Sequence, residues 1–594
     1  MCGYIGKVSF SSFDDKDLES SNNLITCRGP DSKRKIKQFE EDLKYSLIFN
    51  RLSILDLNEK ANQPMFSKNK EQILMFNGEI YNHRELRREL ENKIEFITDH
   101  SDSEVLLNGI YIHGIDYVRK LRGQFSFFYL DKKKKKIYLA RDRLGQKPLY
   151  YKQNDKSLIF SSNLKSLVSF ERDYKLDQKS VSEYLNYGAI SSPNTIFSNF
   201  KKVNPSEIIE FEYKNNYIDK KFIKYWEVES YIDNKTFDTE EFFNIFSDSI
   251  NIRNEADVPI ANFLSGGIDS SSIIKNLYNK KNEINTFSIK VDDSQYDEGP
   301  WSDLVANKYR TNHKSVVISS KINFENINES INCLDEPYSD PSVVPSYILS
   351  KEISKYYKVA ISGDGGDELL GGYARTALSL KSTTKIHNLI SNLYPFYPPF
   401  MGTGNYFLSK SSNLTSKYSS FLEDKNLLKL LNTENVDTRK NIKINRNIEE
   451  YKSLLIADYN FYLPDMMLFK IDRTSMANSL EIRSPFVDHK LIEYIFSHDT
   501  NYYSISNPKS LLKEYLLEDF DKNFVNRKKQ GFVFDIENWI FSNINEISEI
   551  IYSGKVSEII TSNTIKSLSR FKSRINSHRI WKLYVLNNYL STLN

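Results

Sequence analysis

An apolar run, Val258-Pro259-Ile260-Ala261-Asn262-Phe263-Leu264, passes directly into Ser265-Gly266-Gly267-Ile268-Asp269-Ser270-Ser271. No other stretch constrains the fold as much: it reads as a buried strand, a glycine turn and a helix from Ser270 to about Tyr278. Glycines let the backbone turn sharply and approach a ligand closely. The N–H groups at the helix start lack intrahelical partners, and with the macrodipole they favour an anion there. The loop lacks the G-K-[ST] ending that sets a lysine on a transferred γ-phosphate. It carries Asp269 instead, a carboxylate suited to holding Mg2+ on a polyphosphate. The reading is a loop that grips pyrophosphate, in an enzyme that cuts ATP between its α and β phosphates. An ordinary strand-to-helix turn would also fit a single loop of this kind.

A second stretch repeats the arrangement. Lys358 to Ser362 (K-V-A-I-S) is a short apolar strand entering Gly363-Asp364-Gly365-Gly366-Asp367-Glu368, then Leu369-Leu370-Gly371-Gly372-Tyr373. Two glycine loops, each ending a β-branched strand, suit an open parallel sheet, whose ligands bind beyond the carboxyl ends of the strands. Carboxylates crowded on one loop repel each other unless a cation or a substrate amine lies between them. Asp269 and Asp367 together would make a two-carboxylate Mg2+ site, matching that ion's use of few protein ligands plus phosphate oxygens.

Different chemistry occupies the other end, which opens Met1-Cys2-Gly3. If Met1 is removed, the α-amine of Cys2 becomes a base beside its own thiol. Such an amine has a reference pKa of about 7.7–8.0, so a useful fraction is neutral at cellular pH. This is the N-terminal-nucleophile arrangement. A second-position cysteine alone says little; three later segments give it company. Arg51, within Asn50 to Asp56 (N-R-L-S-I-L-D), offers a fork for a carboxylate. The apolar strand Gln72 to Phe76 ends in Asn77-Gly78, expected as a tight turn, where an amide and a glycine N–H supply two oxyanion donors. Asp102, ahead of a helix from Val105 to about Tyr111, suits a substrate ammonium. A thiol, an oxyanion hole, a carboxylate clamp and an amine clamp are what hydrolysis of a glutamine side chain needs.

These motifs resemble those of a known family. M-C-G, C-R-G-P-D (Cys27 to Asp31), N-R-L-S-I-L-D, N-G-E-I-Y-N-H (Asn77 to His83), S-D-S-E (Ser101 to Glu104) and A-R-D-R-L-G-Q-K-P-L-Y (Ala140 to Tyr150) are similar to class II glutamine amidotransferase domains. S-G-G-I-D-S-S, L-S-K (Leu349 to Lys351), S-G-D-G-G-D-E-L-L-G-G-Y and S-L-E-I-R-S-P-F-V-D (Ser479 to Asp488) resemble the synthetase domain of glutamine-hydrolysing asparagine synthetases. The resemblance covers nearly the whole chain, in the family's order. It implies two domains, α/β and α+β. An αββα antiparallel sandwich of the N-terminal nucleophile type is expected over 1–210. A parallel-sheet α/β nucleotide-binding domain with extra helices is expected over 235–594.

The resemblance also implies roles. Cys2 would form a γ-glutamyl thioester with Asn77 and Gly78 as oxyanion donors, while Arg51, Glu79 and Asp102 bind glutamine's α-carboxylate and α-amine. Ammonia would pass through a tunnel to a second site, where ATP adenylates an acceptor carboxylate and pyrophosphate leaves. The implied acceptor is L-aspartate and the product L-asparagine. Leu264, Ser265, Gly266 and Gly267 match the nucleotide loop, followed by Asp269, Ser270 and Ser271. Ile289 matches a backbone contact to adenine, and Ser362 and Gly363 should lie against the nucleotide. Asp364 stands where an acid acts as ammonia attacks, and Lys509 where a lysine faces the transition-state phosphate. ATP and Mg2+ are the implied cofactors, and a homodimer is a family expectation.

Departures bear on the acceptor. Cys27 replaces the histidine that many amidotransferases carry before R-G-P-D, with little effect expected, and Asp364 replaces a longer glutamate of some relatives. In asparagine synthetases the stretch equivalent to Leu334 to Ser342 (L-D-E-P-Y-S-D-P-S) carries threonines and an arginine. Here no arginine or lysine lies between Asn332 and Leu349. Another carboxylate therefore stays open, such as a uronic acid of a surface polysaccharide or a lactam-forming amino acid. A non-catalytic or regulatory homologue is a further alternative, against which the intact Cys2, Asp269, Asp364, Asp367 and Lys509 argue.

Composition bounds the rest. A chain of 594 residues exceeds one ordinary core, and 40% hydrophobic residues support globular folding. No apolar stretch approaches the roughly 18 residues of a membrane span, and no secretory signal is expected. Three cysteines are too few for a disulfide framework and fit a reducing cytoplasm. A net charge of +3 gives no reason to expect nucleic acid. Lys132 to Lys136 read as an exposed hairpin turn, and His83 as a structural histidine. No histidine pair or CxxC suggests zinc. Residues 171–179 and 213–221 are expected at the join between halves, and 382–447 as helices with variable loops. The basic loop 526–532 is expected either to fold over departing pyrophosphate or to be merely solvated.

Overall fold

Alternation sets the N-terminal architecture. In the strand Gly3–Ser9, Tyr4 and Val8 face one core and Ile5 another; in Gln72–Ile80, Ile73 and Met75 part from Leu74 and Phe76 in the same way. Successive side chains of a strand take opposite faces, so each strand feeds two cores. The computed structural model describes residues 2–39, 43–214, 217–280, 283–292, 297–318, 322–382, 385–431, 433, 448–500, 507–527 and 534–593.

Two six-stranded sheets result. The first runs Lys201–Lys202, Tyr150–Asn154, Ser157–Ser161, Gly3–Ser9, Lys44–Arg51, Ser32–Gln38. The second runs Tyr217–Lys224, Glu207–Lys214, Lys136–Arg141, Gly123–Asp131, Gln72–Ile80, Met65–Phe66. Every pairing in both is antiparallel. Tyr4, Phe49, Met75, Phe128, Leu139 and Phe160 form part of the core between them, and the rings of Phe128 and Phe160 stack at 4.3 Å. Ile5 and Ile48, on the outer face of the first sheet, meet Leu18 of the helix Lys16–Asn23. The outer face of the second packs Leu74, Phe76 and Phe127 against Leu86, Leu90 and Val105 of the helices His83–Glu91 and Asp102–His113. This is the expected αββα sandwich.

Two local expectations are corrected. Asn77 and Gly78 do not form a turn: they lie inside the strand Gln72–Ile80, paired with Ser126 and Phe125. The ladder runs on through them, and a Cβ at Gly78 would overlap the carbonyl oxygen of Gln124. Close strand approach, not a reversal, explains that glycine. Residues 213–214 and 217–221 are not a join but belong to the paired strands Glu207–Lys214 and Tyr217–Lys224, which carry the second sheet past residue 210; residues 215–216 lie outside the described residues. Residues 171–179 likewise lead from the helix Leu164–Glu171 into Gln178–Tyr187. Lys132 to Lys136 do connect two antiparallel strands, as expected.

The C-terminal half holds a parallel sheet ordered Asn312–Ile318, Asn285–Val291, Ile260–Phe263, Val359–Ile361, Glu481–Arg483. From the central Ile260–Phe263 the chain steps outward on one side, then resumes on the other at Val359–Ile361. Such a reversal leaves a crevice beyond the carboxyl ends of the two central strands. The helix Ile268–Asn279 covers one face through Ile273, Ile274 and Leu277. Val343–Ile353 covers the other through Leu349 and Ile353. Further helices include Ile536–Ser542, Ile544–Ser553 and Arg574–Ser591. In the 382–447 segment, short helices form at Lys385–Ser391, Asn405–Leu408, Leu414–Ser419 and Lys425–Leu430; residues 383–384, 432 and 434–447 lie outside the described residues.

The halves share apolar cores. Tyr150, Leu164 and Tyr184 pack in one cluster with Trp581, Leu583 and Leu586, and the Tyr184 hydroxyl donates to the Lys582 carbonyl at 2.9 Å. Among the described residues no helix is long and apolar enough to cross a membrane.

Candidate functional site

Pairing of Gly3 with Asn50 sets Cys2 beside Arg51 at the edge of the sandwich. Cys2 is buried, and its backbone nitrogen donates to Asn77 Oδ1 at 2.9 Å. That nitrogen becomes the α-amine when Met1 is absent. Asn77 Nδ2 is buried with no hydrogen-bond partner among the described residues. Buried donors normally find acceptors, so an amide left open beside a thiol suits an oxygen that becomes negative during reaction. Burial pushes the Cys2 thiol above its ordinary value, so a neighbouring base must take its proton before it attacks.

Of the remaining predicted residues, Arg51 lies close enough to the thiol to favour its ionised form, and Glu79 and Asp102 act on one another. Arg51 Nη1 donates to the Asn58 carbonyl at 3.0 Å and Asn62 Oδ1 at 2.9 Å, and Nη2 to the carbonyls of Leu55 and Asp56, so a loop holds the guanidinium in place. Asp102 Oδ2 accepts from the Ile80 nitrogen at 3.0 Å, and burial raises its carboxyl to about 6. Glu79 lies 3.2 Å from Arg483 Nη2. Burial outweighs that guanidinium and holds Glu79 well above the ordinary carboxylate range. His83 sits at a helix start with Nδ1 3.0 Å from the Ile80 carbonyl, and burial lowers it to about 4.

The second site is a cavity of about 800 Å³ bounded by both glycine loops. Leu264, Ser265, Gly267, Asp269, Ser270, Ile289, Ser362, Gly363, Asp364, Asp367 and Lys509 line it; Gly266 and Ser271 do not. Ser271 is fully buried, and the Gly266 carbonyl accepts from Arg527 Nη2 at 2.7 Å. Ser265 Oγ accepts from the Gly267 nitrogen at 3.2 Å, shaping the loop. Residues 528–532 of the expected basic loop lie outside the described residues.

Lys509 Nζ lies between two carboxylates, 2.7 and 2.5 Å from the Asp269 oxygens and 2.5 Å from Asp367 Oδ1. Its backbone is left-handed, φ 61°, a conformation sparsely populated by side-chain-bearing residues. A Cβ at Gly372 would overlap Asp367 Oδ1, so glycine there keeps the carboxylate's position open. The ammonium shows that the Asp269–Asp367 pair accepts a cation. Mg2+ fits the same oxygen donors, and when bound it would neutralise charge on a polyphosphate.

Several residues joining the two sites escaped sequence reasoning. Arg28 donates to Asp472 through both Nη atoms, at 2.9 and 3.0 Å, and its Nε donates to the Cys2 carbonyl at 3.3 Å. Arg473 donates to Asp335 at 2.9 Å and to the Tyr150 hydroxyl at 2.6 Å. Arg483 serves both halves. Its Nε donates to Glu481 at 2.6 Å and its carbonyl accepts from the Ser362 nitrogen at 3.0 Å. Burial works against the charged form of Glu481, but Arg483 brings it down to about 2. Arg28, Glu481 and Arg483 stood within quoted motifs. Their partners, up to 444 positions away, had no local signal. Within L-D-E-P-Y-S-D-P-S, Asp335 and Glu336 turn to the N-terminal half, Glu336 pairing with Lys202 at 2.7 Å, whereas Asp340 and Ser342 line the cavity.

A model of the asparagine synthase family matches residues 241–588, and one of a glutamine amidotransferase domain matches residues 1–226. Glutamine-hydrolysing asparagine synthetase 1 of Bacillus subtilis (strain 168) is 29% identical, over 98% of this chain and 96% of its own. A putative glutamine-hydrolysing asparagine synthetase 2 of Methanocaldococcus jannaschii is 32% identical, over 69% of this chain and 84% of its own. A protein named amidase chry2, of Gibberella zeae, is 25% identical over 93% of this chain and 89% of its own.

Proposed function

As the chain belongs to the asparagine synthase family, we propose that it is a glutamine- and ATP-dependent amide ligase that converts L-aspartate to L-asparagine. With Met1 gone, the Cys2 amine takes the thiol proton and the sulfur attacks the side-chain carbonyl of glutamine. Asn77 Nδ2 and the Gly78 N–H receive the oxyanion; Arg51 holds the α-carboxylate, and Glu79 and Asp102 the α-amine. Ammonia leaves, and water releases glutamate from the thioester. In the cavity, an acceptor carboxylate attacks the α-phosphate of ATP and pyrophosphate departs; the acyl-adenylate is a better electrophile than the free acid, and AMP leaves as ammonia attacks its carbonyl to form the amide. Ser265, Gly267 and Ser270 cradle the phosphates, the Ile289 backbone meets adenine, and Ser362 and Gly363 flank the nucleotide. Asp269 and Asp367 would hold Mg2+. Lys509 stabilises the phosphoryl charge, and Asp364 takes the proton as ammonia attacks.

One observation carries this reading: Arg483 reaches Glu79 of the thiol site with its side chain and Ser362 of the nucleotide loop with its carbonyl. Two chemistries linked through one residue support transfer of nitrogen between them. Cys2→Ala tests it. Glutamine-driven amide formation should fall by at least roughly 10,000-fold, as losing a covalent nucleophile does. Ammonium-driven formation should persist; equal use of glutamine by the variant would refute the thiol's role.

A second reading keeps the reaction but changes the acceptor. It is favoured by the missing cation between Asn332 and Leu349. Pyrophosphate release across a panel of carboxylic acids separates the two.

A further inference from the structure

Lys470 lines the cavity from the helix Leu468–Met476, on the same face as Ile471 and Thr474. It is 8% exposed, and among the described residues its ammonium makes one hydrogen bond, to Ser342 Oγ at 3.0 Å, and no ion pair. The other cations lining the cavity are engaged. Lys509 has Asp269 and Asp367, Arg527 the Gly266 carbonyl, and Lys513 has Asn507 Oδ1 at 3.0 Å. A buried ammonium facing only a hydroxyl lacks the counter-charge that buried ions otherwise find. An entering carboxylate would supply it through charge-assisted hydrogen bonds.

We propose that Lys470 and Ser342 determine acceptor specificity by holding a second carboxylate of the acceptor, the one that is not activated. Asp340, fixed by the Ser342 nitrogen at 2.9 Å, faces the same cavity and takes the acceptor's ammonium. The acceptor class is therefore an amino dicarboxylate. The cation missing between Asn332 and Leu349 comes from 128 positions further on, by way of a helix packed on Val343–Ile353. That helix covers the sheet face opposite Ile268–Asn279, whose start forms the phosphate loop. Lys470 thus approaches from the side away from the phosphates.

The assignment rests on the ligase reading, and the test separates the two. Pyrophosphate release by the full-length enzyme is measured with ATP and ammonium chloride. L-aspartate and L-glutamate are compared with β-alanine and γ-aminobutyrate, which lack the second carboxylate. The wild type should favour one dicarboxylate over its shortened partner by about 100-fold or more in kcat/KM, the worth of hydrogen bonds to the lost carboxylate. Lys470→Gln should raise the KM for that dicarboxylate about 10- to 100-fold, the worth of a hydrogen bond to a charged group, while the KM for ATP stays within about 3-fold. Lys470→Arg should restore most of the loss. An unchanged acceptor KM, an equal rise in the ATP KM, or equal use of the shortened acids or of a uronate overturns the assignment. If Lys470→Gln also loses glutaminase activity through misfolding, Ser342→Ala replaces it, and an unchanged acceptor KM in that variant overturns the assignment. If no acid draws pyrophosphate from the wild type, the ligase reading fails first and the assignment falls with it.

Discussion

Asp102 sits where its charge can be read out. Burial lifts its carboxyl to about 6, so it ionises across a range where glutamine remains an ammonium. Holding that ammonium needs the carboxylate, so glutaminase kcat/KM should decline as pH falls through about 6, reporting the free enzyme's group. A profile flat from about pH 5 to 7 would remove Asp102 from glutamine binding. Gly78→Ala should abolish folding or glutaminase activity, because the added methyl overlaps the Gln124 carbonyl. Circular dichroism and glutamate release check it. At this scale short motifs single out Cys2, Asn77 and Asp102, and the fold brings Asn77 to the Cys2 nitrogen. Lys470 was not: a helical lysine looks solvated in sequence, and only the fold shows it buried and facing a hydroxyl.

Elements were legible where periodicity or punctuation was strong. The two strand–glycine–helix units lie at the centre of the parallel sheet, although the first helix begins at Ile268 rather than Ser270. Asn77-Gly78 misled because that dipeptide is a strong hairpin signal, while here pairing with Ser126 and Phe125 overrides local preference. The helix Leu468–Met476 gave no sign of its two tasks. Its Asp472 grips Arg28, and both side chains are about 5% exposed or less. Breaking a buried pair costs about 3–5 kcal/mol by stranding one charge, so Arg28→Met should lower the unfolding temperature by several degrees. Arg473 at 3.4 Å and Lys147 at 3.9 Å still face Asp472, which places the loss toward the lower end. Arg28→Met with Asp472→Leu should recover part of it in thermal unfolding; a double variant no better than the single would deny the coupling.

For the molecule as a whole, both chemistries were readable from opposite ends of the chain, but their junction was not. Clusters uniting Tyr150, Leu164 and Tyr184 with Trp581 and Leu586 leave neither half a closed surface of its own. Calorimetry should show one cooperative unfolding transition, and two well-separated transitions would contradict shared cores. Residues 1–226 alone should aggregate or unfold, since they expose that apolar contact to water.

On one helix, Lys470 faces the cavity while its near neighbours Asp472 and Arg473 fasten the halves. If Lys470 holds the acceptor as proposed, exchanging that one side chain would change which acid is amidated. Asp472 and Arg473, left alone, would still clasp Arg28, Asp335 and Tyr150 and keep the two halves together.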